Sequence, residues 1–442
     1  MCLQGDHRHQ SLGMPTTRRQ VLRNGALASL AIAGLGVFQL QDVSAQDQGR
    51  PPDGGPGGQP GGDGQSDVLD EFVGVTIDGT PIEGLFPIAA TGIDRTPVVE
   101  AAMAFLASLT DDQRAATVFA VDDDEWRKWS NVDGYQRQGT SFREMDDTAV
   151  AAAYALLEVA LSSAGYEKVD ATIKLNHTEG ELMGNFERFD EDLYWLTVMG
   201  EPSLTDAWGW QLDGHHLVVN YLLAGDQLVM TPLFMGAEPS VAPEGTDYAG
   251  LSVLITEQDK GLAMVNTLDA DQQASAIIDP NKTGIDMQAG ANSDNAVIPY
   301  AGINAADLTA DQQAQLLDLI HEWVNTMPDQ DADLKMAEIE SRLDETWFAW
   351  VGATGEDAVF YYRIQSPVIL IEFDHQPPGP LGQSSNYYQG ATGPQRAHIH
   401  SIIRTPNGND YGKDLLAEHY ATSAHHAGDT ALVAGVFWPA AS

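Results

Sequence analysis

The chain has 442 residues, with 64 Asp and Glu against 22 Lys and Arg and a formal net charge of −42. This dispersed acidic excess excludes the basic footprint of a nucleic-acid binder and argues against docking on anionic membranes. It suits a halophilic setting, where salt screens self-repulsion. The single cysteine, Cys2, precedes the expected mature chain, so a metal there must be held by His, carboxylate, amide or water.

Arg18 and Arg19 form a twin-arginine pattern ahead of an apolar run from Ala26 to Leu40. Val43-Ser44-Ala45 is a small-residue cleavage site, so 1–45 reads as a twin-arginine export signal. The apolar run is short for a membrane span and carries signal-type flanks, so the mature protein is expected to be extracytoplasmic, with no stable membrane insertion. Residues 46–67 are rich in Gly, Pro, Gln and Asp and cannot bury enough apolar surface to order themselves; they are expected to be a flexible linker. One large domain is expected over 68–442.

Within it, 73–88 reads as short strands with turns at Asp78-Gly79 and Glu83-Gly84. A helix is predicted over 97–109, with Thr110 capping the next segment, and another over 145–165, capped by Thr148 and ended by Gly165. Residues 194–199 form a strand, and a meander comes next. In it Trp208–Leu212 turns at Asp213-Gly214, His215–Tyr221 returns, and 228–234 completes the unit. Helices are predicted at 256–278, 309–327 and 332–343, with a polar loop over 280–300. Strands recur at 347–351, 359–364 and 367–374; a Gly/Pro/Ser-rich loop spans 377–394, and Asp410 opens a short helix to Tyr420. The pattern is α+β, an antiparallel sheet with grouped helices, not a βαβ alternation.

The strongest chemical signal is the strand Arg396-Ala397-His398-Ile399-His400-Ser401-Ile402-Ile403-Arg404. Alternation puts His398, His400, Ile402 and Arg404 on one face, with the two histidine Cα atoms about 7 Å apart. That spacing lets both rings lean onto one ion at about 2.0–2.1 Å from each nitrogen. His215 and His216, read as strand residues, face opposite ways, and His216 is the preferred third ligand. Glu372, a carboxylate within an apolar strand, is expected to be a fourth ligand or a general base. Arg404 is a candidate for reading an anionic substrate; an ion pair with Asp410 or Glu372 competes equally. His419 is a further candidate ligand, against a helix-end role. Trp126, Trp129, Trp208 and Trp210 could wall a substrate, although aromatics at such spacings are more often core.

Long motifs also carry a family resemblance. Trp208-Gly209-Trp210-Gln211-Leu212-Asp213-Gly214-His215-His216, Thr231-Pro232 through Gly236 to Pro239, Tyr362-Arg363 through Ser366-Pro367, Ile371-Glu372-Phe373-Asp374, His398 through Arg404-Thr405-Pro406 and Asp410-Tyr411-Gly412, with His419-Tyr420, resemble domain-of-unknown-function family 3500. Glu125-Trp126-Arg127-Lys128-Trp129-Ser130-Asn131 and Leu161 to Tyr166 fit the same pattern. The resemblance implies domain boundaries and marks motif residues but supplies no reaction.

These readings combine into an exported metal-binding protein. A divalent transition metal, zinc, iron or copper, would sit on His216, His398, His400, Glu372 and His419. Metal-assisted hydrolysis of a small-molecule or polymer substrate, with Glu372 and Arg404 catalytic, is slightly favoured over oxidation. The alternative is a non-catalytic binding protein with structural histidines.

Overall fold

The computed structural model describes residues 69–384 and 386–422. The export signal, the linker and Cys2 lie outside the described residues. Thirteen strands form one sheet: β1 (Val118–Phe119), β2 (Thr140–Ser141), β3 (Tyr194–Met199), β4 (Trp208–Gly214), β5 (Leu217–Ala224), β6 (Gln227–Val229), β7 (Leu233–Ala237), β8 (Ile277–Asp279), β9 (Ile303–Asn304), β10 (Trp347–Gly352), β11 (Phe360–Gln365), β12 (Leu370–His375) and β13 (Ile399–Arg404). Their order is β1-β3-β4-β5-β7-β13-β12-β11-β10-β8, with β2 on β3, β6 on β5 and β9 on β10.

The class is α+β, but the sheet is mixed. β1 joins β3 in parallel and β8 joins β10 in parallel, while the other ladders are antiparallel. Both exceptions are short edge strands that arrive from helices, the setting in which a parallel pairing forms readily. Two meanders, β3–β7 and β10–β13, meet at the β7/β13 ladder, where Ser401 opposes Met235 and His400 opposes Gly236.

Both faces of the central strands are buried, so these strands read as apolar runs. One face carries Leu217, Val219, Met235, Phe373, Ile399 and Ile403, which share a core with helical side chains such as Leu156, Ile173, Met264 and Leu319. The other carries Val218, Phe234, Leu370 and Ile402 and packs on Trp126, Trp129, Ala289 and Tyr411. The four tryptophans proposed as a wall, Trp126, Trp129, Trp208 and Trp210, are core residues at most 1% exposed.

Local chemistry explains where the elements depart from expectation. The helix predicted over 145–165 is Asp147–Ala160, capped by Asp146, not Thr148. Ser162 then caps an unpredicted helix, Ser163–Met183, that absorbs Gly165. A Cβ there would sit 2.3 Å from the Thr326 carbonyl, so this glycine permits close packing and ends nothing. The helix predicted over 256–278 breaks into Ile255–Thr267 and Ala270–Ala276, because Asp269 and Gln272 form a capping box. The segment 73–88 contributes a lone bridge, Thr76 to Val297, and no strand.

Candidate metal centre

His215 and His216 are not strand residues. β4 runs through Asp213 and Gly214, and Gly214 pairs with Leu217, so the two histidines are themselves the hairpin loop. Asp213 stays in the ladder because Arg137 holds it, Nε to Oδ1 at 2.8 Å. Gly214 is needed where it is: a Cβ would fall 2.1 Å from the Tyr194 ring, and Tyr194 donates its hydroxyl to the His215 carbonyl. His216 has φ 61°, a left-handed conformation that costs a non-glycine residue about 1–3 kcal/mol. Backbone bonds hold it there: its N–H donates to Asn131 O and its carbonyl accepts from Gly236 N. The expected division of the two rings onto opposite faces therefore fails. They stack, centroids 3.9 Å apart.

Across the β7/β13 seam, His398 and His400 face this loop. His398 directly precedes β13 and His400 lies within it. Their Nε2 atoms are 3.1 Å apart. The His216 ring lies 5.5 Å from His398 and 5.1 Å from His400, centroid to centroid. Gly236 makes this convergence possible, since a Cβ would lie 3.1 Å from His400 Cδ2 and 3.2 Å from His216 Cδ2. Ligand nitrogens of His216, His398 and His400 lie within 4.8 Å of one another. Two nitrogens on one tetrahedral ion at about 2.0 Å are about 3.3 Å apart, close to the Nε2 separation here.

The electrostatics favour lone pairs. Burial holds His216 and His400 well below the ordinary histidine range and lowers His398, so all three are neutral near pH 7. His398 Nδ1 lies 2.6 Å from the Pro377 carbonyl, which can only accept. Neutral His398 must therefore carry its proton on Nδ1, which leaves the Nε2 lone pair facing His400. A ring N–H given to a backbone carbonyl is the outer support typical of a metal-ligating histidine. Glu238, 3.6 Å from His398 Nδ1, accepts from Gly379 N and Leu381 N and so ties down the segment passing over His398. A Cβ at residue 379 would lie 2.7 Å from Glu238 Oε2, so glycine lets this segment close on the carboxylate without displacing it.

A second triplet adjoins the first: Glu179, His215 and His216 also place ligand atoms within 4.8 Å of one another. Burial raises Glu179 well above the carboxylate range and lowers His215 well below the histidine range. Glu179 and Glu238 were missed from sequence. Glu179 sits on the helix that local pattern did not reveal, and Glu238 carries no periodic signal. His215 was set aside only because it was read as a strand residue.

Three nominated residues are elsewhere. Glu372 shares the His400 face but opposes Ile402, one pair further along. Its oxygens accept from Gln288 N at 2.9 Å, Ala289 N at 2.7 Å and Tyr361 OH at 2.6 Å. It is in neither triplet. Arg404 shares that face too, yet four residues of strand place it about 13 Å from His400. It is fully buried and donates to Asp294, Asp410, Ala289 O and Gly290 O. The ion pairs weighed against a substrate role are present, with Asp294 and Asp410 as the partners. His419 is buried on the helix Lys413–Thr422, beside Tyr420, and joins neither triplet. His375 is structural: its Nδ1 accepts from Phe360 N and its Nε2 meets Gln258.

Residues 91–413 match the family model described as protein of unknown function, DUF3500. This chain belongs to that family. The matched span contains both triplets, Glu372 and Arg404, but not His419. No curated protein and no solved structure matches the chain.

Proposed function

We propose that this DUF3500 member is an exported metal-binding protein in which His216, His398 and His400 hold one divalent transition metal, zinc, iron or copper. One observation carries the reading: three neutral imidazoles, two buried and the third, His400, half-buried, converge with an Nε2–Nε2 separation suited to a shared ion. An all-nitrogen set does not choose among the three metals. The twin-arginine pattern supports export, and the acidic composition supports a high-salt surrounding.

Metal-assisted hydrolysis is ranked ahead of oxidation, because it needs no electron donor. When bound, the ion supplies Lewis acidity. Glu372 leaves this scheme, since its oxygens are taken up by backbone amides and Tyr361. Glu238 holds the Gly379 segment over His398, and the Pro377 carbonyl holds the proton on His398 Nδ1.

A second reading has its own support. A cavity of about 480 Å³, lined by Phe86, Met230, Thr231, Lys335 and Asn409 and away from the histidines, has the size of a small-molecule site. It favours a non-catalytic binding protein whose histidines are structural.

Metal analysis of the purified protein decides between them. At least about one equivalent of zinc, iron or copper is expected, falling by about one in His398→Ala/His400→Ala. Less than about half an equivalent, unchanged in that variant, refutes the metal reading and leaves the binding protein.

A further inference from the structure

Glu179 lacks what Glu238, the other buried carboxylate near the histidines, has. Glu238 has two backbone amides, whereas both Glu179 oxygens lack a hydrogen-bond partner, although the residue is fully buried. No lysine or arginine is paired with it among the described residues; its near neighbour is His215, Nδ1 to Oε2 at 3.3 Å. Burying a carboxylate without hydrogen bonds or a cation is costly enough that such a group usually marks an absent partner.

The surroundings say what that partner is. His215 Nδ1 is also 3.0 Å from Asn176 Oδ1, and the Asn176 amide is oriented by Nδ2 donating to Asp190 O. Asn176 Oδ1 can only accept here, so neutral His215 carries its proton on Nδ1 and keeps its lone pair on Nε2. Glu179 and His215 form a ligand triplet with His216, while His398 and His400 form another with the same His216, and the two triplets do not merge into one group. Ligands to a single ion cannot exceed about 4.4 Å of mutual separation, so one ion does not serve both.

We propose that Glu179 and His215 hold a second divalent transition-metal ion beside the three-histidine position, while neutral His216, with its one lone pair, stays with His398 and His400. This rests on the proposed metal site and extends it to a two-ion centre. Glu179 supplies the negative charge that a set of neutral imidazoles lacks, and Asn176 Oδ1 is placed to support His215 or to join the second ion. The segment 213–217, with its strained His216, is the element that brings the two positions side by side.

The test is metal counting on the metal-stripped full-length protein, titrated with Zn²⁺ and quantified by mass spectrometry. The wild type should take up about two equivalents, and Glu179→Gln and His215→Gln about one each, with the remaining site filled at unchanged affinity. His398→Ala/His400→Ala should also fall by about one. One equivalent in the wild type overturns the two-ion centre: kept in Glu179→Gln it leaves the three-histidine site standing, and lost in Glu179→Gln it moves the single ion away from that site. Negligible uptake by the wild type overturns both. Circular dichroism checks that each variant folds. Where one does not, Cu²⁺-loaded wild type gives the answer: a spin-coupled pair signal in paramagnetic resonance is expected, and a single uncoupled signal refutes the pair.

Discussion

Strand β13 carries a buried polar cluster at each end, and the two differ in kind. At Arg404 the charges alternate. The guanidinium meets Asp294 at 2.9 Å and Asp410 at 3.0 Å, and two backbone carbonyls accept two more of its N–H groups. At His398 and His400 the groups are alike: neutral imidazoles turn nitrogens toward one another, and among the described residues no lysine or arginine is paired with Glu179. The first cluster is complete within the chain and stitches the loop 286–294 to the sheet, with help from Glu372 and Asp374. The second holds donors whose natural complement is a cation. Two buried polar sites on one strand thus do different jobs, and the test of each is whether its groups satisfy one another.

The largest effect should come from the complete cluster. Arg404→Ala leaves Asp410 buried without its cation and Asp294 with Arg127 alone, and should cost about 3–5 kcal/mol in denaturant unfolding, with no dependence on added metal. A loss below about 1 kcal/mol would mean that the ion-pair cluster is not a structural clamp.

The histidine cluster should respond in the opposite way. Zn²⁺ at about a thousand times its dissociation constant should stabilise the wild type by about 4 kcal/mol for each ion bound, and His398→Ala/His400→Ala should lose the share of one ion. An unfolding midpoint indifferent to both Zn²⁺ and chelator would erase the contrast between the clusters.

Glu372→Gln separates the two directly. It weakens the acceptors for Gln288 N, Ala289 N and Tyr361 OH, so a loss of about 1–3 kcal/mol is expected while metal content stays at the wild-type level. Lost metal with unchanged stability would return Glu372 to the metal site.

The smallest effect concerns an isolated buried carboxylate. Glu125, with Lys128 3.7 Å away, is pushed up by burial from 4.5 to about 7. Between those values the folded chain keeps a proton that the unfolded chain releases. The Glu125 contribution is therefore fully present below about pH 4.5 and lost as pH rises through about 7. Glu125→Gln should flatten the fall in melting temperature over that window, and an unchanged slope would show that Glu125 titrates normally.

Much of the fold was legible. Strands β3, β10, β11 and β12 fall where alternation and apolar runs put them, and Thr110 caps as its local pattern requires. What failed was decided by contacts distant in sequence. Asp213-Gly214 is a good turn dipeptide, but Arg137 and Tyr194 hold it in the ladder and pass the turn to His215-His216. The helix Ser163–Met183 combines little apolar periodicity with a buried face, so its packing, not its pattern, creates it.

By itself, the sequence determined the ligand chemistry and the strand. With its one cysteine at position 2, ahead of the expected mature chain, the sequence leaves a metal to imidazole, carboxylate, amide or water, and the period of two puts His398, His400 and Arg404 on one face whatever the fold. Tertiary structure decided which partners each residue meets. Strand distance carries Arg404 to its aspartates, the Gln288 and Ala289 amides claim Glu372, and the β7/β13 seam brings in His216 with His215 and Glu179 behind it. Side-chain direction is a local property of the backbone, whereas a site is a convergence of segments far apart in the chain, which local pattern does not encode.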